Sequence, residues 1–253
     1  MASRIADDIV QWLRDRVADA GSHGFVIGLS GGIDSAVVAR VCQMATPNRV
    51  LGVILPCYSH AQDEADARLL ARTFGIPTAR VDLAPAFDAL TQELHNAVKG
   101  LPQSVHVADI KQQLPEANIK PRLRMTSLYF IANSLNYLVA GTGNRSEITL
   151  GYYTKYGDGG CDVLPIAHLL KSEVRTLARE LGIPAPIIDK APSAGLWIGQ
   201  TDEAEMGFTY EMLEDYLTKG PSAVSPEVAA RIDLLHRTSA HKRMLPPRLS
   251  HAV

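Results

Sequence analysis

Apolar residues recur along the chain with two different spacings, and these alternate through the first third of the sequence. From Ile5 to Val17 an apolar residue returns every four positions, which predicts an amphipathic first helix. Further on, short continuous apolar runs predict buried strands, with helical segments between them. The predicted strands are the run from Phe25 and the ranges 50–55 and 79–83, and the predicted helices start near Ser35 and cover 63–74. This order predicts parallel strands joined by right-handed crossovers.

The rest of the chain continues the alternation less regularly. Periodicity is lost over 100–117, a predicted connection, and over 189–207, a loop long enough to indicate a function. The predicted helices cover 86–98, 118–137, a segment N-capped by Ser172 and ending at 181, 210–217 and 226–244, and the predicted strands cover 137–141 and 162–166. We therefore expect a single α/β domain over 1–253, with a mostly parallel sheet of about five strands and helices on both faces.

The break after the first strand carries the clearest chemical signal. The sequence there is Ser30-Gly31-Gly32-Ile33-Asp34-Ser35, between an apolar strand and an alanine- and valine-rich helix. A glycine loop that leads into a helix N-terminus presents backbone N–H groups to a phosphate, although glycine can also serve only the geometry of a tight turn. The loop has no lysine, so it is not the Gly-Lys-Ser/Thr phosphate loop. Its hydroxyls and Asp34 suit a pyrophosphate carried with Mg²⁺.

Composition and charge exclude several classes of protein. Of 253 residues, 46% are hydrophobic and 21% charged, as in ordinary globular proteins, and the net charge of −2 argues against a general nucleic-acid binder. No apolar run reaches membrane-spanning length, and the acidic N-terminal segment does not resemble a signal peptide. Cys42, Cys57 and Cys161 are odd in number and widely spaced, which indicates a reduced, cytoplasmic chain rather than a disulfide scaffold or a zinc site.

The glycine loop resembles the pyrophosphatase loop of the N-type ATP pyrophosphatases, a family with the adenine nucleotide alpha hydrolase fold. The second half narrows the resemblance with five further strings in order. They are 118–125 (NIKPRLRM), 141–147 (GTGNRSE), 153–160 (TKYGDGG after Tyr153), 190–197 (KAPSAGLW) and 241–243 (HKR). Together with the loop they resemble NAD synthetase from about residue 5 to 245. No glutaminase-like region precedes them, so the ammonia-dependent form is expected.

The resemblance implies the reaction and the residues that serve it. Nicotinic acid adenine dinucleotide (deamido-NAD) is adenylated by ATP at its carboxylate and then amidated by ammonia, giving NAD⁺, AMP and pyrophosphate, and the family is expected to form homodimers. The implied ATP contacts are Gly28, Leu29, Ser30, Gly31, Gly32, Ile33, Asp34, Ser35, Thr142, Lys171 and Ser193, of which Lys171 and Ser193 act on the departing pyrophosphate. The implied deamido-NAD contacts are Arg122, Lys155, Asp162, His241 and Lys242, and the implied Mg²⁺ ligands are Asp34 and Glu147.

Each of these residues also has an ordinary interpretation. Thr142 and Glu147, which follow the fourth strand, can belong to an ordinary polar turn. The residues implied to bind deamido-NAD can be solvated charges on the surface. Ser193 stands where the family often has threonine, and Trp197 can be a packing anchor or a stacking partner for a substrate ring. Lys171 is the exception, because a lysine at a helix start opposes the helix dipole and needs an anion nearby.

Two other classes of protein share the glycine loop. A tRNA-modifying or thiolating ATP pyrophosphatase needs a basic surface and a placed catalytic cysteine, which the net charge and the cysteine spacing disfavour. A non-catalytic adenine-nucleotide sensor could lose the metal carboxylates, but Asp34 and Glu147 are both present.

Overall fold

A parallel sheet organises the computed structural model, which describes residues 2–105, 113–192 and 202–249. In the described ranges the strands are β1 (Phe25–Gly28), β2 (Val50–Ile54), β3 (Thr78–Arg80) and β4 (Leu138–Val139). Their spatial order is β3-β2-β1-β4, and every pair is parallel. Phe25 lies opposite Val50 on one side and Leu138 on the other, so the first strand is central. The predicted α/β class is confirmed.

The predicted fifth strand over 162–166 is wrong, because this segment makes a single parallel bridge between Ala140 and Val163. Before the bridge, the Oδ2 atom of Asp162 accepts the N–H of Val139 at 2.8 Å, so a side chain takes the place of a main-chain ladder partner. After Val163 the chain turns over 165–168, and Pro165 has no N–H to donate to a ladder. Pairing is therefore confined to one residue of this segment.

The helices flank the sheet on both faces, as predicted. They are α1 (Ala2–Asp19), α2 (Ile33–Ala45), α3 (Ala61–Phe74), α4 (Ala84–Lys99), α5 (Gln113–Ala117), α6 (Ile119–Leu135), α7 (Arg145–Leu150), α8 (Lys171–Glu180), α9 (Ala185–Ile188), α10 (Asp202–Met206), α11 (Tyr210–Lys219) and α12 (Pro226–Thr238). Short 3₁₀ turns cover Gln103–Val105, Pro221–Ala223 and Ala240–Lys242. Among the described residues no helix has both the length and the apolar content needed to cross a membrane.

The alternation of β1 separates two cores. Phe25 and Ile27 point to one face, where they pack with α1, α2, α3 and α8. Val26 points to the other face and packs with Ala132 of α6 and Phe87 of α4. Successive strand residues face opposite sides, so one buried strand serves both layers. A third cluster joins α7, α10, α11 and α12.

Six predicted boundaries need correction. Two are strands: β3 ends at Arg80 rather than 83, and β4 covers Leu138–Val139 rather than 137–141. The 100–117 connection contains a 3₁₀ turn and α5, and the 189–207 loop contains α10. Ser172 is not the N-cap of α8, because the helix begins at Lys171 and the Glu173 carboxylate accepts the N–H of Leu170 at 2.7 Å. The last predicted helix ends at Thr238 rather than 244, and a separate 3₁₀ turn follows it.

Candidate active site

The glycine loop leaves β1 at the carboxyl edge of the sheet, where ligands of parallel α/β sheets bind. Gly31 has φ +77°, and a Cβ added there would collide with the main-chain oxygen of Asp63. Only glycine fits that position. Ser30 and Ser35 hold the loop, since their Oγ atoms lie 3.0 Å apart and Ser35 Oγ donates to the carbonyl of Gly32 at 2.9 Å.

Two residues of the predicted ATP loop face the core. Leu29 and Ile33 are buried, and a Cβ on Gly52 would meet the Leu29 side chain. A nucleotide can therefore reach these two residues only through their main chain. Gly28 ends β1 beside them, with Leu128 Cδ1 3.4 Å from the position of an added Cβ. The loop thus presents main-chain groups to a ligand, while its apolar side chains are packed in the core.

The two predicted metal ligands meet at this loop. Asp34 lies in the first turn of α2, and Glu147 lies in the first turn of α7, which follows β4. Lys171 Nζ donates to Asp34 Oδ2 and lies 3.5 Å from Glu147 Oε1. Asn144 Nδ2 donates to Asp34 Oδ1 at 3.0 Å, which orients the carboxylate. Three elements distant in sequence therefore place two acids and one base around a common point.

Lys171 is a buried cation whose charge is balanced by the acids. Its side chain is 4% exposed, against 17% for Asp34 and 20% for Glu147. Burial alone would lower the pKa of Lys171, but the two facing carboxylates outweigh burial and raise it. Burial and the nearby Asp34 carboxylate raise the pKa of Glu147, and the Lys171 ammonium acts in the opposite direction. The helix-start lysine thus has the anions that its position requires.

The aromatic ring of Tyr210 lies close to the Lys171 ammonium. Its Nζ lies 5.4 Å from the centroid of the Tyr210 ring, and the Tyr210 hydroxyl donates to Asp202 Oδ2 at 2.9 Å. Burial and the Glu147 carboxylate raise the pKa of Tyr210, which keeps the phenol neutral. Lys171 is therefore largely shielded from solvent, and a buried charge acts more strongly than an exposed one.

The other predicted ATP residues are placed less completely. Thr142 is half-buried and follows Gly141, which ends the β4 segment at the same edge of the sheet. Ser193 lies outside the described residues, as does Trp197. Their predicted roles therefore stay predictions.

Four of the five predicted deamido-NAD residues form one connected group. Arg122 donates to the carbonyl of Lys155 at 3.4 Å, and Lys155 Nζ donates to the carbonyl of His241 at 2.7 Å. Lys242 Nζ donates to the carbonyls of Gly151 and Tyr153 at 2.7 and 2.6 Å. A cleft of about 300 Å³ lies beside them, lined in part by Tyr153, Lys155 and Lys242. The C-terminal segment is thus tied to the glycine- and tyrosine-rich loop.

Asp162 is placed apart from that group. Its two oxygens accept the Tyr129 hydroxyl at 2.9 Å and the N–H of Val139 at 2.8 Å. No described contact joins it to Arg122, Lys155, His241 or Lys242. The structure therefore gives Asp162 a scaffold role, which does not depend on its predicted contact with the substrate.

The sequence prediction assigned no role to three polar residues that the structure places around the site. Asn144 holds Asp34 and caps α7, where its Oδ1 accepts the N–H of Glu147 at 3.0 Å. The Asn-x-x-Glu spacing of a capping box was the signal for it. Lys190 Nζ bonds the carboxylates of Asp63 and Asp66 at 2.7 Å each, and Arg124 lies beside the segment after β2. No local pattern indicates these two contacts, because both are long-range.

Comparisons with known proteins agree with this geometry. The profile of the NAD synthase family matches residues 5–246. The NH(3)-dependent NAD(+) synthetase of Carboxydothermus hydrogenoformans is 49% identical over 240 residues, which cover 95% of this chain and 94% of that protein.

Two solved structures superpose on the whole fold. An NMN synthetase from Francisella tularensis has a TM-score of 0.90 and 38% identity, and the match covers 99% of both chains. An NH3-dependent NAD synthetase from Campylobacter jejuni has a TM-score of 0.79 and 28% identity over 99% of both chains. The sequence match and the two superpositions lead to one conclusion: the chain belongs to the NAD synthase family.

Proposed function

We propose that the chain catalyses the ATP-dependent amidation of deamido-NAD with ammonia, which yields NAD⁺, AMP and pyrophosphate. The observation that carries the proposal is the placement of Lys171 between Asp34 and Glu147 at the glycine loop. It puts a buried cation and two acids where the phosphates of a nucleotide reach the helix N-terminus. Family membership supplies the reaction.

The chemistry proceeds in two balanced steps. An oxygen of the nicotinate carboxylate bonds to the α-phosphorus of ATP, and the bond from that phosphorus to the departing pyrophosphate breaks. Ammonia then bonds to the acyl carbon, the carbon–oxygen bond breaks, AMP leaves, and one proton goes to solvent. Adenylation is needed because a free carboxylate is a poor electrophile. The N–H groups of the glycine loop and Lys171 stabilise the negative charge on the pyrophosphate.

The donor set suits Mg²⁺, a hard cation that prefers oxygen ligands and keeps few protein contacts. Asp34 and Glu147 would hold it, together with phosphate oxygens, on the side of the site that Lys171 faces. When bound, the cation supplies charge neutralisation on the phosphates. Asn144 keeps Asp34 oriented for this role through its 3.0 Å hydrogen bond. Ser193 is proposed to add a hydroxyl contact to the same phosphates.

The connected group of Arg122, Lys155, His241 and Lys242 is proposed to bind deamido-NAD. Its ammonium and guanidinium groups offer positive charge to the pyrophosphate of the dinucleotide. Burial lowers the pKa of Lys242, and Asp158 counteracts that effect, so this lysine sits in a partly dry environment. A ligand in the adjacent cleft would contact side chains from the 153–160 loop and from the C-terminal segment together.

A second acceptor is favoured by one observation. The Francisella tularensis NMN synthetase superposes more closely, with a TM-score of 0.90, than the Campylobacter jejuni NAD synthetase, with 0.79. Nicotinic acid mononucleotide carries the same carboxylate as deamido-NAD, so the glycine loop and Lys171 serve both acceptors equally. The two substrates differ only in the AMP moiety, which deamido-NAD carries and the mononucleotide lacks. The second candidate is therefore amidation of the mononucleotide.

An endpoint assay tests both candidates. Purified protein receives MgATP with either deamido-NAD or the mononucleotide, and with either ammonium or glutamine, and the products are separated by chromatography. Equal amounts of NAD⁺, AMP and pyrophosphate with deamido-NAD and ammonium are expected. Faster amidation of the mononucleotide would reverse the choice of acceptor. AMP without any amide would indicate a different acceptor, and ATP binding without AMP would indicate a nucleotide sensor.

We also propose a homodimer formed through α4 and α6. Leu90, Leu94 and Val98 follow one another at helical spacing on α4 and are 41%, 43% and 52% exposed. No residue of α4 is buried, and Phe130 of α6 is 74% exposed. Such an apolar stripe fits a second copy of this chain. Analytical ultracentrifugation should give a dimer, and Leu94→Glu with Phe130→Glu should give a monomer; a wild-type monomer would contradict the proposal.

The cytoplasm is the proposed compartment. Cys42, Cys57 and Cys161 are free thiols, as a reducing environment maintains them. Burial raises the pKa of all three thiols, to about 11 for Cys161, so none is a ready thiolate at neutral pH. This weighs against a thiolating enzyme.

A further inference from the structure

Arg124 lies on the face of α6 that packs against the sheet. Leu128, one helical turn later on the same face, approaches Gly28 at the end of β1. The helix runs opposite to the strands, since it ends at Leu135 just before β4 begins. Arg124 therefore lies about one turn farther toward the carboxyl edge than the last residue of β1, which is where the glycine loop departs.

Among the described residues, the hydrogen-bond partners of the Arg124 guanidinium are neutral. Its Nε donates to the carbonyl of Leu55 and its NH2 group to Ser59 Oγ, both at 3.1 Å. Within the described parts of the chain no carboxylate lies within 4.0 Å of it. Burial lowers its pKa, and Asp158 and Asp63 act on it only from longer range. A guanidinium has five N–H donors, so this side chain keeps donors for a further acceptor.

A largely buried cation without a facing carboxylate is costly unless an anion completes its surroundings. The strand order indicates where that anion would lie. Arg124 contacts the segment after β2, and Lys171 with Glu147 lies on the β4 side, so β1 and its glycine loop stand between the two cations. A ligand that sits on the loop would have one positive group on each flank.

We propose that Arg124 binds an anionic oxygen of the bound substrates, either a phosphoryl oxygen of ATP or an anionic oxygen of deamido-NAD. The proposal rests on the proposed function, because it takes both substrates from it. A bidentate guanidinium suits either oxygen group, and such charge-assisted hydrogen bonds are among the strong ones. Arg124 is then a substrate-binding residue on the β2 side, as Lys171 is on the β4 side.

The competing role is purely structural: Arg124 would only pin the 55–59 segment through its two contacts. Arg14 provides a matched control, because its Nε and NH2 groups also donate to main-chain carbonyls, those of Ala45 and Met44, at 3.2 and 3.1 Å. Those acceptors lie at the end of α2, away from the glycine loop. Arg14→Met therefore removes two similar hydrogen bonds to the main chain without removing a contact with a ligand.

The experiment measures the affinity of each substrate separately by calorimetry, for wild type, Arg124→Met, Arg124→Lys and Arg14→Met. The ATP arm uses the Mg²⁺ complex of α,β-methylene ATP, which cannot be cleaved between α- and β-phosphates, and the other arm uses deamido-NAD alone. Thermal unfolding is recorded for each protein. We expect Arg124→Met to weaken one of the two ligands about 10- to 100-fold, Arg124→Lys to restore part of it, and Arg14→Met to change neither by more than about twofold.

The arm that weakens identifies the source of the oxygen. Unchanged affinity for both ligands in a folded Arg124→Met protein would overturn the proposal, and so would equal losses in Arg14→Met. Should Arg124→Met not fold, the folded Arg124→Lys protein decides alone, with unchanged affinities counting against the proposal. Wild-type protein that binds neither ligand would overturn the proposed function and the role of Arg124 with it, which distinguishes the two failures.

Discussion

Replacement of Lys171 by methionine tests the site most severely. Methionine keeps an unbranched apolar stem but ends one atom earlier, without the ammonium that faces Asp34 and Glu147. Two carboxylates, each about one-fifth exposed, are then left facing each other without a cation. Removing one partner of a buried ion pair lowers the free energy of unfolding by about 3–5 kcal/mol. Because the two carboxylates keep some contact with solvent, we expect a loss of about 3 kcal/mol here.

For a chain of this size, about 3 kcal/mol corresponds to a fall in Tm of about 6–12 °C. The effect on turnover follows from the proposed contact with the departing pyrophosphate. Removal of one preorganised charge of this kind lowers kcat by about 10²- to 10³-fold. Mg²⁺ without nucleotide should raise the Tm of Lys171→Met more than that of wild type, because it replaces the missing positive charge between the carboxylates.

The assay follows AMP formation under saturating substrates, with thermal unfolding recorded in parallel. Lys219→Met is the control, because it makes the same change at an exposed ion pair with Asp215, which is 2.7 Å away. Solvent screens an exposed ion pair, so stability and turnover should hardly change. Wild-type turnover in Lys171→Met would remove Lys171 from the reaction and refute this reasoning.

Three further outcomes follow from the geometry. Gly31→Ala should lower the free energy of unfolding by at least about 2 kcal/mol and remove most ATP affinity, because φ is +77° and Asp63 blocks a Cβ. Gly75→Ala, at a left-handed position with open space, should lower it by about 1 kcal/mol and keep ATP binding. Equal unfolding curves for the two variants would contradict this. Lys242→Met should raise KM for the acceptor about 10-fold and leave KM for ATP unchanged, and a change confined to ATP would argue against the placement. Burial and Asp162 raise the pKa of Cys161 to about 11, so the rate of its alkylation, followed by mass spectrometry, should increase up to about pH 11. A rate that reaches a plateau near pH 8.5 would be inconsistent with its burial.

The parts of the fold that local pattern determines were predictable. The apolar run that begins at Phe25 predicted a buried strand of a parallel sheet, and β1 (Phe25–Gly28) is that strand, with alternate residues in the two cores. The glycine loop after it was predictable for the same reason. Phosphate-binding loops depend on a short contiguous stretch, which leaves its full signal in the sequence.

Features that depend on distant partners were not predictable. The strand at 162–166 is limited to one bridge because Asp162 takes the N–H of Val139 on one side of it, and on the other side the chain turns over 165–168, where Pro165 has no N–H to donate. The start of α8 moves for a local reason, because Glu173 satisfies the N–H of Leu170 three residues earlier, and a leucine at the N-cap leaves no capping signal in the sequence. Asn144 and Asp34 are separated by 110 positions, so no local spacing reveals that one orients the other. Only the three-dimensional arrangement shows which polar residues meet.

Transfer of an oxygen label tests the central claim, attack of the substrate carboxylate on the α-phosphorus, most directly. Deamido-NAD labelled with ¹⁸O in both carboxylate oxygens is converted with MgATP and ammonium, and AMP and NAD⁺ are analysed by mass spectrometry. We expect one labelled oxygen in the phosphate of each AMP and one in the amide of each NAD⁺. Unlabelled AMP, formed together with NAD⁺, would contradict it, because the carboxylate would then never have bonded to phosphorus.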